Sequence, residues 1–296
     1  MIEQEIDRKV KDIDQVVGRF LPKEEGLQKT IFSAMDYSVK AGGKRLRPML
    51  MMETARMFGN AQLSISLPYF MAAIEMIHTY SLVHDDLPAM DGDRYRRGKE
   101  TTWVVYGDAM GVLAGDALLN YAYELIAEGI EKEHAHGRPL RAFRILSRKA
   151  GAYGLVGGQT VDVEMEGKKM DLETLKAIHS MKTCALIEAS MMVGAVLEGA
   201  TEEELDLVEK SGHALGMAFQ IQDDILDVTG DLKVMGKPAG SDEKNGKQTY
   251  VNMFGLEGAK KQAQDYTDQA VEYLEATGHK NAFLPKLIRY LMGRDK

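Results

Sequence analysis

The chain has 296 residues, of which 45% are hydrophobic and 28% are charged, and its formal net charge is −8. This apolar fraction is enough to bury a large core, and the acidic balance argues against nucleic acid as a partner. Cys184 is the single cysteine, which excludes an internal disulfide and favours a reducing compartment. The N-terminus is charged and has no signal-peptide core, and no apolar run approaches the roughly 20 residues of a membrane span. We therefore expect a cytoplasmic protein without stable membrane insertion.

Apolar residues recur at spacings of three and four along most of the chain, which is typical of α-helices. No linker rich in Pro, Gly or Ser divides the sequence, so we predict one all-α domain over residues 1–296. Segments 68–83 and 183–198 are apolar on most faces and are expected at the centre of the fold. We predict about ten helices, at residues 2–18, 26–40, 45–58, 67–86, 108–131, 139–166, 171–198, 202–228, 249–276 and 281–293.

A first group of acidic residues closes the apolar helix predicted at 67–86. Asp85 and Asp86 are adjacent, and Asp91 follows after Leu-Pro-Ala-Met. Adjacent carboxylates are costly beside apolar surface unless a positive charge neutralises them. Because Pro88 cannot continue regular helix hydrogen bonding, we expect the chain to loosen there and let Asp91 turn back towards Asp85.

A second group of acidic residues, Asp223, Asp224 and Asp227, follows the apolar stretch HALGMAFQIQ. Asp223 and Asp227 are four residues apart and share a helical face, on which Gln220 also lies. Carboxylate oxygens are the ligands that Mg²⁺ prefers. One such group alone would be interpreted as a solvated helix end, but two groups that both close apolar helices favour metal binding.

Basic residues lie near both acidic groups in the sequence. Such side chains bind diphosphate oxygens, although any single one of them is more often a solvated surface residue, and that alternative is strongest for Arg45, Arg94 and Lys247. The GGKR stretch is not a P-loop, because Arg45 stands where Ser or Thr is needed. These features together indicate a substrate with a polyanionic head and an apolar tail: the acids would bind metal, the bases phosphate, and the apolar helix faces the tail. The basic residues concerned are Lys44, Arg45, Arg47, Arg94, Arg96, Arg97, Lys182, Lys237 and Lys247.

Four stretches resemble one known family in their order and spacing between about residues 30 and 250. They are GGKRLRP, HTYSLVHDDLPAMDGDRYRRG, the pair Lys182-Thr183, and FQIQDDILD. Together they are similar to the trans-prenyl diphosphate synthases, and the span from Asp85 to Asp91 resembles the bacterial farnesyl diphosphate synthases in particular. The resemblance implies a bundle of ten or more helices around a central cavity, and a homodimer.

The resemblance also implies roles for individual residues. Asp85 and Asp91, with Asp86 in support, would bind Mg²⁺ from one wall of the cavity. Asp223 would bind a third ion from the facing wall, with Asp227 acting directly or through water. The implied ligands of the allylic diphosphate are Arg96 and Lys182, joined by Lys237 once the ions are in place. Those of isopentenyl diphosphate are Lys44, Arg47, His78 and Arg97. Lys247 is a further candidate for substrate binding.

The implied reaction is the Mg²⁺-assisted ionisation of an allylic diphosphate, followed by attack of isopentenyl diphosphate on the allylic cation. Thr183 and Gln220 would direct oxygens at the cation, and the released pyrophosphate would accept the proton. In this family the residues just before the first acidic group limit product length. Tyr80, with Ser81 beside it, lies about 7.5 Å before Asp85 along the helix, and its bulk favours a farnesyl over a geranylgeranyl product.

Three alternatives remain open. A geranylgeranyl diphosphate synthase differs only in product length. A class I terpene cyclase uses the same ionisation, but usually carries a second metal motif of a different composition. A non-catalytic helical subunit would be expected to have lost acidic or basic ligands. Two departures from the family pattern, Met181 and Cys184, flank Lys182-Thr183. We expect Cys184 to be a buried small residue and His84 to have a structural role.

Overall fold

The computed structural model describes residues 2–60, 62–229 and 248–293. In these residues the regular elements are helices except for one pair of two-residue strands, which confirms the predicted all-α class. The residues group into two compact units. The first comprises 3–52 and 64–140, and the second comprises 53–63 and the described residues from 141 onwards.

The first unit is built on one central helix. It contains a hairpin of strands β1 (Tyr95–Arg96) and β2 (Lys99–Glu100). Its helices are α1 (Ile2–Arg19), α2 (Lys29–Val39), the start of α3 (Leu46–Phe58), α4 (Leu67–Asp85), α5 (Thr102–Tyr106), α6 (Asp108–Glu131) and the start of α7 (Gly137–Ala150). Helix α4 is the central one, as predicted: Phe70, Ile74 and Ile77 are fully buried. It packs against α2 and α6, and Asp85 and Asp86 lie at its C-terminal end, directly after this apolar stretch.

The second unit also surrounds one buried helix. Its elements are the remainder of α3 and α7, then α8 (Leu155–Met165), α9 (Leu172–His179), a π-helical turn (Ser180–Cys184), α10 (Ala185–Leu197), α11 (Glu202–Thr229), α12 (Tyr250–Ala276) and α13 (Leu284–Met292). Every residue of α10 is buried, which confirms the central helix expected at 183–198. Helix α11 packs on α10 and on α12 and carries the second acidic group at its C-terminal end.

Most predicted helices are found within three residues of their expected ends, with three differences. The helix predicted at 139–166 is two helices, α7 and α8, separated by residues 151–154. The helix predicted at 171–198 contains the π-helical turn between α9 and α10. Helix α5 and the hairpin were not predicted, because their short elements offer no repeated periodicity.

The stretch Leu172–Leu197 is long and apolar enough to cross a membrane by composition, but 78% of its most apolar window is buried inside the protein. That burial is typical of a core helix, and the central position of α10 explains it.

Helix α8 approaches the π-helical turn so closely that a side chain at Gly158 has no room. A Cβ there would lie 2.4 Å from the backbone nitrogen of Lys182 and 2.8 Å from its Cα. We expect Gly158→Ala to lower the free energy of unfolding by about 1–3 kcal/mol, because backbone must shift. Chemical denaturation measures this change.

The matched control is Gly18→Ala in α1, where nothing beyond the adjoining residues and the helix's own backbone lies within 4 Å of the added Cβ. This control should be neutral or stabilising by up to about 1 kcal/mol, since Ala favours helix over Gly. Equal losses in the two variants would contradict the close packing of α8 on the turn.

Candidate active site

The first acidic group lies where α4 ends and the chain turns back. The backbone nitrogen of Asp91 donates to the carbonyl oxygen of Asp85 at 2.9 Å, and that of Gly92 donates to Leu87 at 3.0 Å. These bonds close a turn around Pro88 and bring Asp91 next to Asp85 in the backbone. The expected return of Asp91 towards Asp85 is therefore confirmed.

Asp86 has a different environment from its neighbours. Only 4% of it is exposed, and its Oδ1 accepts hydrogen bonds from Nε of Arg96 at 2.8 Å and from Nη2 at 2.6 Å. Burial raises the pKa of Asp86, although Arg96 opposes that effect. In the structure Asp86 thus orients Arg96, and its supporting role towards a metal stays a prediction.

A short hairpin that sequence reasoning missed presents Arg96 and Arg97. Strand β1 (Tyr95–Arg96) pairs antiparallel with β2 (Lys99–Glu100). The two residues between the paired positions Arg96 and Lys99 both have positive φ, 53° at Arg97 and 76° at Gly98. That is the geometry of a tight two-residue hairpin turn. The Gly after two arginines was the signal that could have found it.

Arg97 extends from this turn to the glycine-rich loop before α3. Its Nη1 donates to the carbonyl oxygen of Gly42, and a Cβ at Gly43 would lie 2.5 Å from the same nitrogen. Lys44 is exposed at the tip of the loop, and Arg47 lies partly buried on the first turn of α3. Burial lowers the pKa of Arg47 to about 10, so it stays charged at neutral pH.

His78 lies on α4 among these guanidinium groups. Burial, and then the charges of Arg47, Arg97 and Arg96, lower its pKa well below the ordinary value. His78 is therefore neutral at physiological pH. His78, Arg47 and Arg97 in the first unit are thus near enough for their charges to interact, and their role as diphosphate ligands stays a prediction.

Tyr80 and Ser81 occupy the turn of α4 before the acids. Tyr80 is 6% exposed and packs edge-on against the ring of His84 at 5.8 Å between centroids. Burial raises the pKa of Tyr80 to about 12. Ser81 Oγ donates to the carbonyl oxygen of His78 at 2.9 Å, and Nε2 of His84 lies 3.0 Å from the carbonyl oxygen of Val112. The structural role expected for His84 fits this contact.

In the second unit, the π-helical turn carries Lys182 and Thr183. Nζ of Lys182 donates to Oδ2 of Asp162 at 2.6 Å, and Oγ1 of Thr183 donates to Oε1 of Gln220 at 3.0 Å. The contact of Thr183 with Gln220 joins two residues that the sequence placed in one role. Asp162, on α8, was missed, because nothing in its local sequence distinguishes it from a surface carboxylate.

The second acidic group has one buried and two partly buried members. Asp224 is 4% exposed, and its Oδ2 accepts the backbone N–H of Tyr250 at 2.9 Å, where α12 begins. Asp223 and Asp227 lie one helical turn apart on α11 and are partly buried. Asp224 therefore orients α12 within the second unit.

In the part of the chain that the structure describes, no three His, Cys, Asp or Glu side chains converge into a metal cage. Mg²⁺ does not require one, since it is usually bound through one or two carboxylates together with phosphate oxygens and water. The acidic pairs Asp85/Asp91 and Asp223/Asp227 supply donors of this kind.

Other predicted residues lie outside the part of the chain that the structure describes, or have structural roles. Lys237 and Lys247 lie outside the described residues, as does the chain end after Gly293, and their roles stay predictions. Cys184 is fully buried, and burial raises the pKa of its thiol well above the ordinary value. It is the buried small residue that the sequence predicted.

Comparison with known proteins adds a further finding. The model of the polyprenyl synthetase family matches residues 28–287. A farnesyl diphosphate synthase of Geobacillus stearothermophilus is 40% identical over 99% of this chain and 98% of its own, and one of Escherichia coli K12 is 38% identical over 99% of both. The solved structure of an FPP/GFPP synthase from Zymomonas mobilis is 32% identical, covers 98% of each chain and has a TM-score of 0.85.

His179, just before the π-helical turn, generates a pH prediction. It is buried and stacks on Tyr250 at 5.7 Å, and its Nδ1 has no hydrogen-bond partner among the described residues. Burial lowers its pKa to about 4. As the pH falls, the unfolded chain protonates this histidine before the folded protein does. The stability associated with neutral His179 is therefore complete above about pH 6.5 and is lost, by roughly 3 kcal/mol, as the pH falls to 4.

We expect His179→Phe to keep the stacked ring and to make the free energy of unfolding less dependent on pH between 6.5 and 4. Urea denaturation across this range measures the effect. The exposed His134, changed to Gln, is the control and should leave the pH dependence as in the wild type. An unaltered slope for His179→Phe would refute the assignment.

Proposed function

Because this chain belongs to the polyprenyl synthetase family, we propose that it is a prenyltransferase that condenses isopentenyl diphosphate with dimethylallyl and geranyl diphosphates to farnesyl diphosphate. The observation that carries this proposal is the grouping of Arg47, Arg97 and the neutral His78 in the same unit as Asp85 and Asp91. Such a unit offers a diphosphate both cationic donors and metal-binding acids. The family match over residues 28–287 supports one catalytic domain over 1–296.

Mg²⁺ is the proposed metal, held by Asp85 and Asp91 with Asp86 in support, and by Asp223 with Asp227. The donor set fits, because these are carboxylate oxygens at helix ends and the partner ligands of Mg²⁺ are commonly phosphate oxygens and water. When bound, the metal supplies Lewis-acid stabilisation to a departing diphosphate. Three ions per site are proposed on the family resemblance.

Lys44, Arg47, His78 and Arg97 are the proposed ligands of isopentenyl diphosphate. Guanidinium groups donate pairs of hydrogen bonds to phosphate oxygens, and the exposed Lys44 adds a further positive charge. The low pKa of His78 means that it contributes a neutral N–H donor and not a further charge. The nucleophilic alkene would thus be positioned by its headgroup.

Arg96 and Lys182, joined by Lys237, are the proposed ligands of the allylic diphosphate, with Lys247 nearby in the sequence. Arg96 is oriented by Asp86, and Lys182 by Asp162. Both bases are held in fixed positions before a substrate arrives, and preorganised donors stabilise a leaving group more effectively than mobile ones.

Thr183 and Gln220 are the proposed stabilisers of the allylic cation. The hydroxyl of Thr183 donates to Gln220, which leaves the hydroxyl oxygen available to face a positive charge. An apolar cavity around the cation would exclude the water that could otherwise capture it. The released pyrophosphate is the proposed acceptor of the proton that the isopentenyl unit loses after its double bond has attacked the cation.

Homodimerisation and a cytoplasmic location are further proposals. The family resemblance supports the dimer, and the burial of the apolar stretch Leu172–Leu197 in the core supports a protein outside the membrane.

The proposed function predicts a specific product. Incubation with isopentenyl and dimethylallyl diphosphates and Mg²⁺ should give farnesyl diphosphate and release pyrophosphate, and chelation of Mg²⁺ should abolish both. Chromatography of the dephosphorylated products measures the chain length. A twenty-carbon product would favour a geranylgeranyl diphosphate synthase, and a cyclic hydrocarbon formed from farnesyl diphosphate alone would favour a terpene cyclase. No turnover with any substrate would favour a non-catalytic subunit.

Tyr80 generates a prediction about product length. Its buried ring fills the space next to His84 on the turn of α4 before Asp85. We expect Tyr80→Ala to extend the main product by one or more five-carbon units, because removing the ring deepens an apolar space. The exposed Tyr153, changed to Ala, is the control and should leave the product unchanged. Unchanged length in Tyr80→Ala would show that this residue is not the limit.

A further inference from the structure

Arg45, in the middle of the GGKRLRP stretch, is a buried residue. Only 5% of it is exposed, so the surface role that the sequence left open for it is wrong. It is also one of two non-glycine residues with positive φ among the described residues, at 47°; the other is Arg97. A left-handed conformation costs a side-chain-bearing residue roughly 1–2 kcal/mol, and persists where surrounding contacts hold it.

The guanidinium group of Arg45 connects three helices. Nη1 donates to Oε1 of Glu75 on α4 at 2.6 Å, Nε donates to Oδ1 of Asp14 on α1 at 2.7 Å, and Nη2 donates to the carbonyl oxygen of Val39 at the end of α2 at 2.7 Å. Burial alone would lower the pKa of Arg45, but the carboxylates of Glu75 and Asp14 outweigh it. All three nitrogens are therefore committed to protein acceptors.

The backbone of Arg45 starts α3. Its carbonyl oxygen accepts the N–H of Met49 at 3.0 Å, which is the first hydrogen bond of that helix. Lys44 precedes it on the exposed loop, and Arg47 follows it on the first turn. The conformation of Arg45 thus sets the directions in which the side chains of Lys44 and Arg47 leave the chain.

Glu75, the partner of Arg45, lies on the same helix as His78. It is 2% exposed and lies three residues, or about one helical turn, before His78 on α4. A single ion pair therefore fixes the start of α3 against the turn of α4 that carries His78. Its geometry controls the distances between Lys44, Arg47 and His78.

We propose that the Arg45–Glu75 ion pair is a positioning device for isopentenyl diphosphate: it holds Lys44 and Arg47 in register with His78 and does not itself touch the substrate. This inference rests on the proposed function for the identity of the ligand. It extends that function to two residues for which the family resemblance implied no role.

The test uses the full-length protein and two single variants. Arg45→Lys keeps the charge, but one ammonium group cannot reach three acceptors on three helices. Glu75→Gln keeps the shape and removes the charge. Titration calorimetry with isopentenyl diphosphate should show binding weakened by roughly 10- to 100-fold in each, since misplacement by about 1 Å has effects of this size. In steady-state kinetics KM for isopentenyl diphosphate should rise, while KM for the allylic diphosphate stays within about twofold.

A third variant distinguishes a loss of folding stability from a misplacement of Lys44 and Arg47. The double change Arg45→Met with Glu75→Leu replaces the buried ion pair by apolar side chains of similar size, an exchange that often restores stability. We expect it to recover the Tm lost in the single variants and to keep the weak binding of isopentenyl diphosphate. Recovery of binding together with Tm would overturn the proposal, because the pair would then be only structural.

The matched control is Glu188→Gln in the second unit, whose buried carboxylate is paired with Lys149 and with Nδ1 of His213 at 2.9 Å. It should lower Tm without changing the affinity for isopentenyl diphosphate. Wild-type affinity in Arg45→Lys and Glu75→Gln, or no binding by the wild type, would overturn the inference. A wild type that binds with this dependence but transfers no prenyl group would refute the proposed function and leave the positioning role supported.

Discussion

The burial of charge against apolar helices is the constraint on which the rest of this structure depends. Helix α4 is apolar on most of its surface, yet it carries Glu75 within it and Asp86 just beyond its end. Removing such groups from water is costly unless a partner of opposite charge is held in good geometry. Arg45 and Arg96 are those partners, and each comes from a segment with a residue in the left-handed conformation. The backbone of the basic segments is thus shaped by the acids they neutralise.

The acidic group of each unit contains one structural carboxylate next to others with a proposed ligand role. One carboxylate of each acidic group is buried and structural, since Asp86 binds Arg96 and Asp224 binds the first residue of α12. The neighbouring acids, Asp85 with Asp91 and Asp223 with Asp227, are the proposed ligands of Mg²⁺. In adjacent pairs such as Asp85-Asp86 and Asp223-Asp224, side chains on one helix point in different directions. One acid can therefore support the protein while the other serves the proposed reaction.

The sequence predicted the helices well because α4, α10 and α11 are long and strongly periodic. The family resemblance assigned Thr183 and Gln220 one role, and the structure shows that their side chains are hydrogen-bonded. The sequence could not predict the π-helical turn, because one additional residue in a turn does not alter apolar spacing enough to be seen. It also could not find Asp162 or the burial of Arg45, since both depend on contacts between distant segments.

The approach of Arg97 to the glycine-rich loop has a consequence for evolution and for protein engineering. A methyl group at position 43 would occupy the place of the Arg97 guanidinium, and Gly43 has a φ of 141° that other residues rarely adopt. Substitutions at 43 and 97 should therefore covary among homologues, although the positions are far apart in the chain. Transfer of the GGKRLRP loop to another scaffold should therefore include the Arg-Gly hairpin, because Arg97 donates to the carbonyl oxygen of Gly42 and lies against Gly43.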